Sequence, residues 1–288
     1  MQLRSLLIRL HLAEGIGYAG TTKVLRQCMR HKTVVTTVTE ILAWAQLPGP
    51  AAVKFAADWD SSRFQQAIQQ HQTIDILTIL DVDYPITLME SYHPPLVLFL
   101  KGNRELLHQP QLAVVGARQA TPYARRCLSQ LLTPLAEQPL AITSGLAAGV
   151  DGAAHQLALQ LGLPAIAVIG TGLDVSYPRV NTDLQTRVSQ LGLLISEYPL
   201  GSRPARHHFP QRNRIIAGLC HTLLVVEARE HSGSLITANL ALQNNRNVLA
   251  VPGAIDATLS IGCNQLIAAG AKPVLNYRHI IEEFSPII

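Results

Sequence analysis

Short apolar runs alternate with amphipathic stretches from residue 111 onwards. The apolar runs predict seven β-strands, at Leu112–Val115, Leu140–Thr143, Ala165–Ile169, Leu193–Ser196, Leu223–Val226, Val248–Val251 and Pro273–Leu275. The stretches between them predict helices over residues 122–136, 151–161, 180–190, 213–219, 233–244 and 263–269. Strands that are apolar throughout are buried on both faces, as in a parallel sheet. The alternation therefore predicts an α/β fold with a doubly wound, mostly parallel sheet of the extended Rossmann-like type.

The first 80 residues have a helical period instead. Leucines recur at helical spacing at Leu3, Leu6, Leu7 and Leu10, and residues 21–30, 38–46 and 61–70 predict further helices. Pro48-Gly49-Pro50 is expected to separate two of these helices. Gly15-Ile16-Gly17 resembles the turn of a helix-hairpin-helix motif, in which backbone N–H groups approach a phosphate. A tight turn without that role is the alternative.

Composition narrows the class of protein. The chain has 288 residues, of which 48% are hydrophobic and 15% charged, which excludes a disordered or fibrous protein. No uninterrupted apolar run reaches about 18 residues, and the first residues lack a signal-peptide pattern, so a cytoplasmic protein without membrane contact is expected. The four cysteines form no CxxC pair, so neither disulfides nor a metal or other cofactor is expected, and each cysteine is predicted to be buried.

The positive charge is concentrated in the second part of the chain. Residues 1–100 hold eight basic and eight acidic residues, so the net charge of +4 arises after them. The segment 203–214 contains four arginines and two histidines but no acid. Beside prolines and an aromatic residue, this run favours an anion-binding loop over a merely solvated surface.

The loops after the predicted strands share one chemistry. They are rich in glycine, serine and arginine, as in Gly116-Ala117-Arg118, Ser144-Gly145, Gly170-Thr171-Gly172, Ser232-Gly233-Ser234 and Pro252-Gly253. Glycine permits close approach of the backbone, helix N-termini bind anions, and arginine offers a planar, charged fork. Because ligands of open parallel sheets bind at the carboxyl ends of the strands, this edge predicts a polyanion site. Glycines that only form turns are the alternative.

Several enzyme classes lack their motifs. The chain has no GxxxxGK[ST], GxGxxG or GxSxG sequence at the required place. Asp151 and His155 are four residues apart on a predicted helix, but structural roles are favoured over catalysis, with Asp151 at the helix N-terminus and His155 facing solvent or the core. Glu197 and Glu227 end strands and are expected to pair with arginine. No catalytic residue is therefore predicted.

Arg212 and Arg214 are expected to have different roles. Residues two apart do not share a helix face. One arginine is predicted to pair with Glu197, Glu227 or Asp174, and the other to face the groove. Asn213 is predicted to cap the helix that starts there.

The motifs, in this order, resemble the DNA-processing protein A family (DprA, also called Smf). They include Asp83-Tyr84-Pro85, VGAR at 115–118, SGLAAGVD at 144–151, Gly172-Leu173-Asp174, SEYP at 196–199, FPQRNR at 209–214, SGSLITA at 232–238 and Val251-Pro252-Gly253. The resemblance covers about residues 84–277. It departs from the family at Ala117, where a serine is common, and the missing hydroxyl removes one potential hydrogen bond.

The resemblance implies a protein without catalytic activity. Members bind incoming single-stranded DNA during natural transformation, protect it, load the RecA recombinase onto it and form homodimers. The residues expected to contact DNA are Arg118, Ser144, Gly145, Arg179, Arg206, Phe209, Arg212, Asn213, Arg214, Ser232, Gly233, Ser234 and Gly253. Arginines with one aromatic platform suit a single strand of any sequence. Ile261, Leu266 and Ile267 are candidate dimer contacts, with coverage of the sheet as the alternative.

The resemblance also implies a division into domains. Residues 1–80 resemble a SAM-like or helix-hairpin-helix domain, 81–110 form a bridge, and 111–288 form the Rossmann-like DNA-binding domain; no C-terminal winged-helix domain is expected. The alternative function is a nucleotide-binding or nucleotide-cleaving enzyme of the wider Rossmann-like phosphoribohydrolase group. Pro252-Gly253-Ala254 departs from the Pro-Gly-Gly-x-Gly-Thr loop of that group, which favours binding over catalysis.

Overall fold

The computed structural model describes residues 2–284, which fold as two units. The first contains the chain up to Tyr84 together with Pro95–Phe99, and the second contains Pro85–Pro94 and the chain from Leu100 onwards. Met1 and residues 285–288, at the outer ends of the two predicted domains, lie outside the described residues. No helix in the described part of the chain is long and apolar enough to cross a bilayer.

The first unit is built from amphipathic helices. They are α1 (Leu3–Leu12), α2 (Gly17–His31), α3 (Val38–Ala45), α4 (Gly49–Trp59) and α5 (Ser62–His71), followed by strand β1 (Asp75–Thr78). Their apolar faces bury Leu6, Leu10, Phe55 and Phe64. The expectation that Pro48-Gly49-Pro50 is only a separator is wrong, because these residues begin α4. Proline fits the first turn of a helix, where its missing N–H has no intrahelical partner.

Gly15 is required by packing in the turn between α1 and α2. Its φ is +88°, and a Cβ atom there would lie 2.6 Å from the carbonyl oxygen of Ala51 and 2.7 Å from the backbone nitrogen of Phe55. The turn therefore lets the backbone of α4 approach closely. This accounts for the glycine by itself, and a phosphate contact at Gly15-Ile16-Gly17 stays a prediction.

The second unit contains a parallel sheet. Strand β2 (Val97–Gly102) begins in the first unit and enters the second. The sheet strands are β3 (Gln111–Val115), β4 (Ala141–Ser144), β5 (Ala165–Ile169), β6 (Leu193–Ser196), β7 (Thr222–Val225), β8 (Asn247–Ala250) and β9 (Lys272–Pro273). They lie in the order β6-β5-β4-β3-β7-β8-β9, and every neighbouring pair is parallel. The predicted fold class is confirmed.

The second unit also contains helices. They are α6 (Ile86–Met89), α7 (Pro122–Leu132), α8 (Val150–Gln160), α9 (Thr182–Leu191), α10 (His208–Leu219), α11 (Gly233–Gln243), α12 (Ile261–Ala268) and α13 (Arg278–Ile281). Helix α10 begins five residues earlier than predicted, because Pro210 falls in its first turn. Asn213 therefore lies inside the helix, and the prediction that it caps the helix is wrong. The four cysteines are all buried and free, as predicted.

The strand order reverses at β3, which lies between β4 and β7. In open α/β sheets, ligands bind outside the carboxyl ends of the strands at such a point. Gly149 allows the loops there to come together, since a Cβ atom on it would lie 2.2 Å from the carbonyl oxygen of Ala117. The backbone N–H of Val150 donates to that same oxygen at 3.0 Å.

Candidate nucleic-acid interface

A groove of about 390 Å³ opens at the reversal point of the sheet. Its walls come from the loop after β3, the first turns of α10 and the first turn of α11. The lining includes Gly116, Arg118, Gln119, Phe209, Asn213, Arg229, Ser232 and Gly233. The groove therefore combines cationic, aromatic and hydrogen-bonding groups, as the polyanion hypothesis requires.

Arg118 and two aromatic rings form a cluster at this groove. The guanidinium carbon of Arg118 lies 5.6 Å from the ring centroid of Phe209, within cation–π range. The ring of Tyr177, which is 39% exposed, has its centroid 5.4 Å from that of Phe209 at 34°. A Cβ atom on Gly170 would lie 3.2 Å from Phe209, so that glycine leaves room for the ring. The cluster offers a flat surface on which a base can stack.

The N-terminus of α11 forms the opposite wall. Ser232 is its N-cap residue, and its Oγ lies 2.9 Å from the Oγ of Ser234 rather than capping a backbone N–H. Gly233 is exposed, while Ser234 is largely buried. The first N–H groups of a helix have no intrahelical acceptor, and they carry the positive end of the helix dipole. This wall can therefore receive a phosphate group.

Arg212 forms part of the floor of the groove. It is only 5% exposed, and its Nη1 donates to the carbonyl oxygens of Gly145 and Val168. Its Nε donates to Oδ1 of Asn213 at 3.0 Å, while Nδ2 of Asn213 donates to the Gly233 carbonyl at 3.5 Å. Burial lowers the pKa of Arg212. Its Nη1 and Nε groups therefore donate within the protein.

Arg214 is also engaged within the protein. Its Nη2 donates to both carboxylate oxygens of Glu197 at 2.5 Å, and both side chains are mostly buried. The predicted pairing of one of the two arginines with an acid at a strand end is confirmed. The other arginine, Arg212, lines the groove as predicted, although it is nearly buried and donates to backbone carbonyls in the floor. The free cations of the groove come from other positions.

Ser144 and Gly145 lie below the surface. The hydroxyl of Ser144 is fully buried and donates to the Val114 carbonyl at 2.6 Å. The N–H of Gly145 donates to Oδ2 of Asp151 at 3.2 Å, and a Cβ atom there would lie 2.5 Å from the Arg212 guanidinium. Both residues support the floor of the groove, contrary to the expectation that they contact DNA.

Asp151 and His155 are structural, as favoured by the sequence. Nε2 of His155 lies 3.1 Å from the Ile166 carbonyl oxygen, and burial lowers the pKa of this fully buried histidine to about 4. Burial raises the pKa of Asp151 against the opposing effects of Arg212 and backbone N–H groups. His155 is thereby enclosed in the core, while Asp151, which is 6% exposed, lies with Arg212 in the lining of the groove.

Glu227 has a different partner from the one predicted. Its carboxylate accepts hydrogen bonds from the hydroxyl of Thr121 and from the Thr121 N–H, the latter at 3.0 Å. Thr121 is the N-cap residue of α7, so the acid positions the start of that helix. The expected pairing of Glu227 with arginine is wrong.

Gly253 lies at a second cavity of about 430 Å³, which Thr121, Tyr123 and Glu227 also line. A Cβ atom on Gly253 would lie 2.0 Å from Oγ of Ser260. Gly253 is therefore required by packing, and it lies outside the groove to which it was predicted to belong.

Arg179 and Arg206 are exposed, and each is close in sequence to one of the two aromatic residues. Arg179 follows Tyr177 by two residues, and Arg206 precedes Phe209 by three. Neither lines the groove, so their DNA contacts stay predictions.

Arg229 and Tyr177 were missed as candidates. Arg229 follows β7 and could have been found by the strand-end rule, whereas the place of Tyr177 depends on Phe209.

The candidate dimer residues belong to α12. Ile261, Leu266 and Ile267 are half-buried, while Gly262 and Cys263 of the same helix are buried against the unit. Partial exposure is compatible with both alternatives, so the dimer contact stays a prediction.

Comparison with known proteins gives consistent results. The family profile described as DNA recombination-mediator protein A matches residues 75–285. The DNA processing protein DprA of Streptococcus pneumoniae (strain ATCC BAA-255 / R6) is 47% identical over 216 residues, which cover 75% of this chain and 76% of the relative.

Solved structures agree with this. The X-ray structure of DNA processing protein A (DprA) from Streptococcus pneumoniae covers 98% of each chain, with a TM-score of 0.89 and 38% identity. DNA processing protein A from Helicobacter pylori, a structure described for its unique single-stranded DNA binding mode, covers 75% of this chain and 97% of that chain, with a TM-score of 0.66 and 29% identity.

Proposed function

Since the chain belongs to the DNA recombination-mediator protein A family, we propose that it binds single-stranded DNA in the groove at the carboxyl ends of β3, β4 and β7. The observation that carries the proposal is the cluster of Arg118, Phe209 and Tyr177 facing the N-terminus of α11. A base stacks on the rings while an adjacent phosphate reaches the helix N-terminus. Neither contact reads a base edge, so binding tolerates any sequence.

The proposal also includes three properties that the resemblance to the family implies. Protection of incoming DNA in natural transformation, loading of RecA onto that DNA and homodimer formation through Ile261, Leu266 and Ile267 are further parts of it. They are supported by the family's motifs in this chain. Protection and RecA loading both require a bound single strand, so the binding measurement comes first.

The test is fluorescence anisotropy with an unstructured single strand and with a duplex of the same length, across a salt series. Arg118 and Arg229 are exposed arginines that line the groove, and Arg179 and Arg206 are exposed arginines close in sequence to its two aromatic residues. At roughly 0.7 per phosphate, these four contacts contribute about −3 to the log–log salt slope for the single strand. Equal or absent binding of the two DNAs would contradict the proposal and favour a small phosphorylated ligand, which nucleoside monophosphates would then reveal.

Arg118→Gln and Arg206→Gln are each expected to reduce the magnitude of this salt slope by up to about 0.7, because each variant loses one phosphate contact. The matched control is Arg187→Gln, which removes an exposed charge from α9 and should leave the slope unchanged. If the control changes the slope as much as the two groove variants do, the DNA lies elsewhere.

A further inference from the structure

The exposed face of α2 carries three cations in the helical unit. Lys23, Arg26 and Arg30 are spaced three and four residues apart, so they lie on one side of the helix, and all three are exposed. No acidic residue occurs between Glu14 and Glu40. We call these three residues the α2 basic face.

These cations differ from four of the other five basic residues of the same unit; the fifth, Lys32, is exposed at the C-cap of α2. Three basic side chains there form ion pairs, namely Arg4 with Asp81, Lys54 with Glu14 and Arg63 with Asp58. A fourth, Arg9, lies over the rings of Trp59 and Phe64 at 4.9 and 5.1 Å. Within residues 2–284, by contrast, no carboxylate pairs with the α2 basic face, and the polar contact of Lys23 is to Oε1 of Gln46 at 3.4 Å.

Helix stability does not account for this arrangement. Like charges three or four residues apart on a helix repel each other and destabilise it. A cation near the C-terminus is favourable because of the helix dipole, but that effect is confined to the last turn. It covers Arg30, which lies in the last turn of α2, and leaves Lys23 and Arg26 unexplained.

The surroundings indicate which polyanion fits. The apolar side of α2, with Val24, Leu25 and Cys28, is buried in the unit. Met29 is the one large hydrophobic side chain of this helix that is exposed, which is too little apolar surface for insertion into a lipid surface. His31, which follows Arg30 in the same helix, stacks on the half-exposed ring of Trp44 with a centroid distance of 5.8 Å and an angle of 27°. Cations with an adjacent aromatic pair are typical of surfaces that bind single-stranded nucleic acid.

We propose that the α2 basic face is a second DNA-binding surface, which binds the phosphates of single-stranded DNA and is separate from the groove of the other unit. Lys23, Arg26 and Arg30 each neutralise a phosphate, and the Trp44–His31 pair provides a place for a base. The inference concerns residues that the groove does not use, so the two proposals can fail independently.

The test compares two triple variants of the full chain. Lys23→Gln/Arg26→Gln/Arg30→Gln removes the basic face, and Lys101→Gln/Arg187→Gln/Arg278→Gln removes three exposed cations from the other unit. The overall charge changes equally in both. For a long unstructured strand, loss of the basic face should reduce the magnitude of the log–log salt slope by about 2, at roughly 0.7 per phosphate. The control variant should reduce the magnitude of the slope by less than the roughly 0.7 that one phosphate contact contributes.

Three results would overturn the inference. The first is a slope change in the basic-face variant no larger than that of the control. The second is unchanged DNA binding together with loss of binding to phosphatidylserine vesicles, which would assign the surface to a membrane. The third is a wild-type protein that binds no DNA. If Phe209→Ala weakens binding while the basic-face variant does not, the groove proposal stands and this inference fails. Thermal melts of both variants should show an intact fold, since all six positions are exposed.

Discussion

Arg212→Ala is expected to lower the free energy of unfolding by about 3–5 kcal/mol, because it removes one partner from a buried charged cluster. The guanidinium is 5% exposed and donates to the carbonyl oxygens of Gly145 and Val168. Without it those acceptors lose their charged donor, and the buried Asp151 loses the nearby charge that favours its ionised form. Urea denaturation at neutral pH measures the loss.

Two further variants show whether the loss of stability is specific to the buried guanidinium. Arg187→Ala removes an exposed arginine from α9 and should stay within about 0.5 kcal/mol of the wild type. Arg212→Lys keeps the charge but not the planar fork, so it should restore only part of the lost stability. A loss below about 1 kcal/mol for Arg212→Ala would show that the cluster is less important to the floor of the groove than its burial indicates.

Phe209→Ala is expected to weaken binding of single-stranded DNA by about 1–3 kcal/mol, which is between roughly fivefold and 150-fold in Kd. The phenyl ring contacts Arg118 and Tyr177, and its loss removes the surface on which a base would stack. Stacking releases no counterions, so the salt slope should stay as it is in the wild type. Anisotropy titrations at several salt concentrations separate these two effects.

The controls distinguish the aromatic character of the Phe209 side chain from its apolar volume. Phe209→Tyr keeps an aromatic face and should retain wild-type affinity, whereas Phe209→Leu keeps apolar volume and should lose most of it. Tyr92→Ala removes an aromatic side chain that is 70% exposed and does not line the groove. Equal losses for Phe209→Ala and Tyr92→Ala would place the base elsewhere, and a changed salt slope would show that Phe209 acts by positioning Arg118.

The sheet was predictable from the sequence because its strands are buried on both faces. Ala165–Ile169 and Leu193–Ser196 occur at the predicted residues, and the other five strands are shifted by about one residue. Two helices were predicted less well than the strands: α4 was not predicted, and α10 was predicted to begin too late. Each has a proline in its first turn, Pro50 in α4 and Pro210 in α10, where proline is tolerated.

The position of the candidate site was also predictable, but the roles of its residues were not. Carboxyl ends of parallel strands meet at one edge, so glycine, serine and arginine after those strands indicated the groove. Arg118 and Arg212 belong to similar basic motifs, yet one is exposed and the other is buried. Ser144 and Ser232 both precede glycine, but only Ser232 lines the groove.

The fold class, the edge of the sheet that carries the candidate site and the family could all be inferred from residue pattern, because each depends on local periodicity and on ordered motifs. Which side chains are available to a ligand became clear only from the folded arrangement. Glu197 pairs with Arg214, Glu227 with Thr121, and Gly253 packs on Ser260. The physical reason is that a side chain's partner is set by which elements meet in space, and residues more than 100 positions apart become neighbours only after folding.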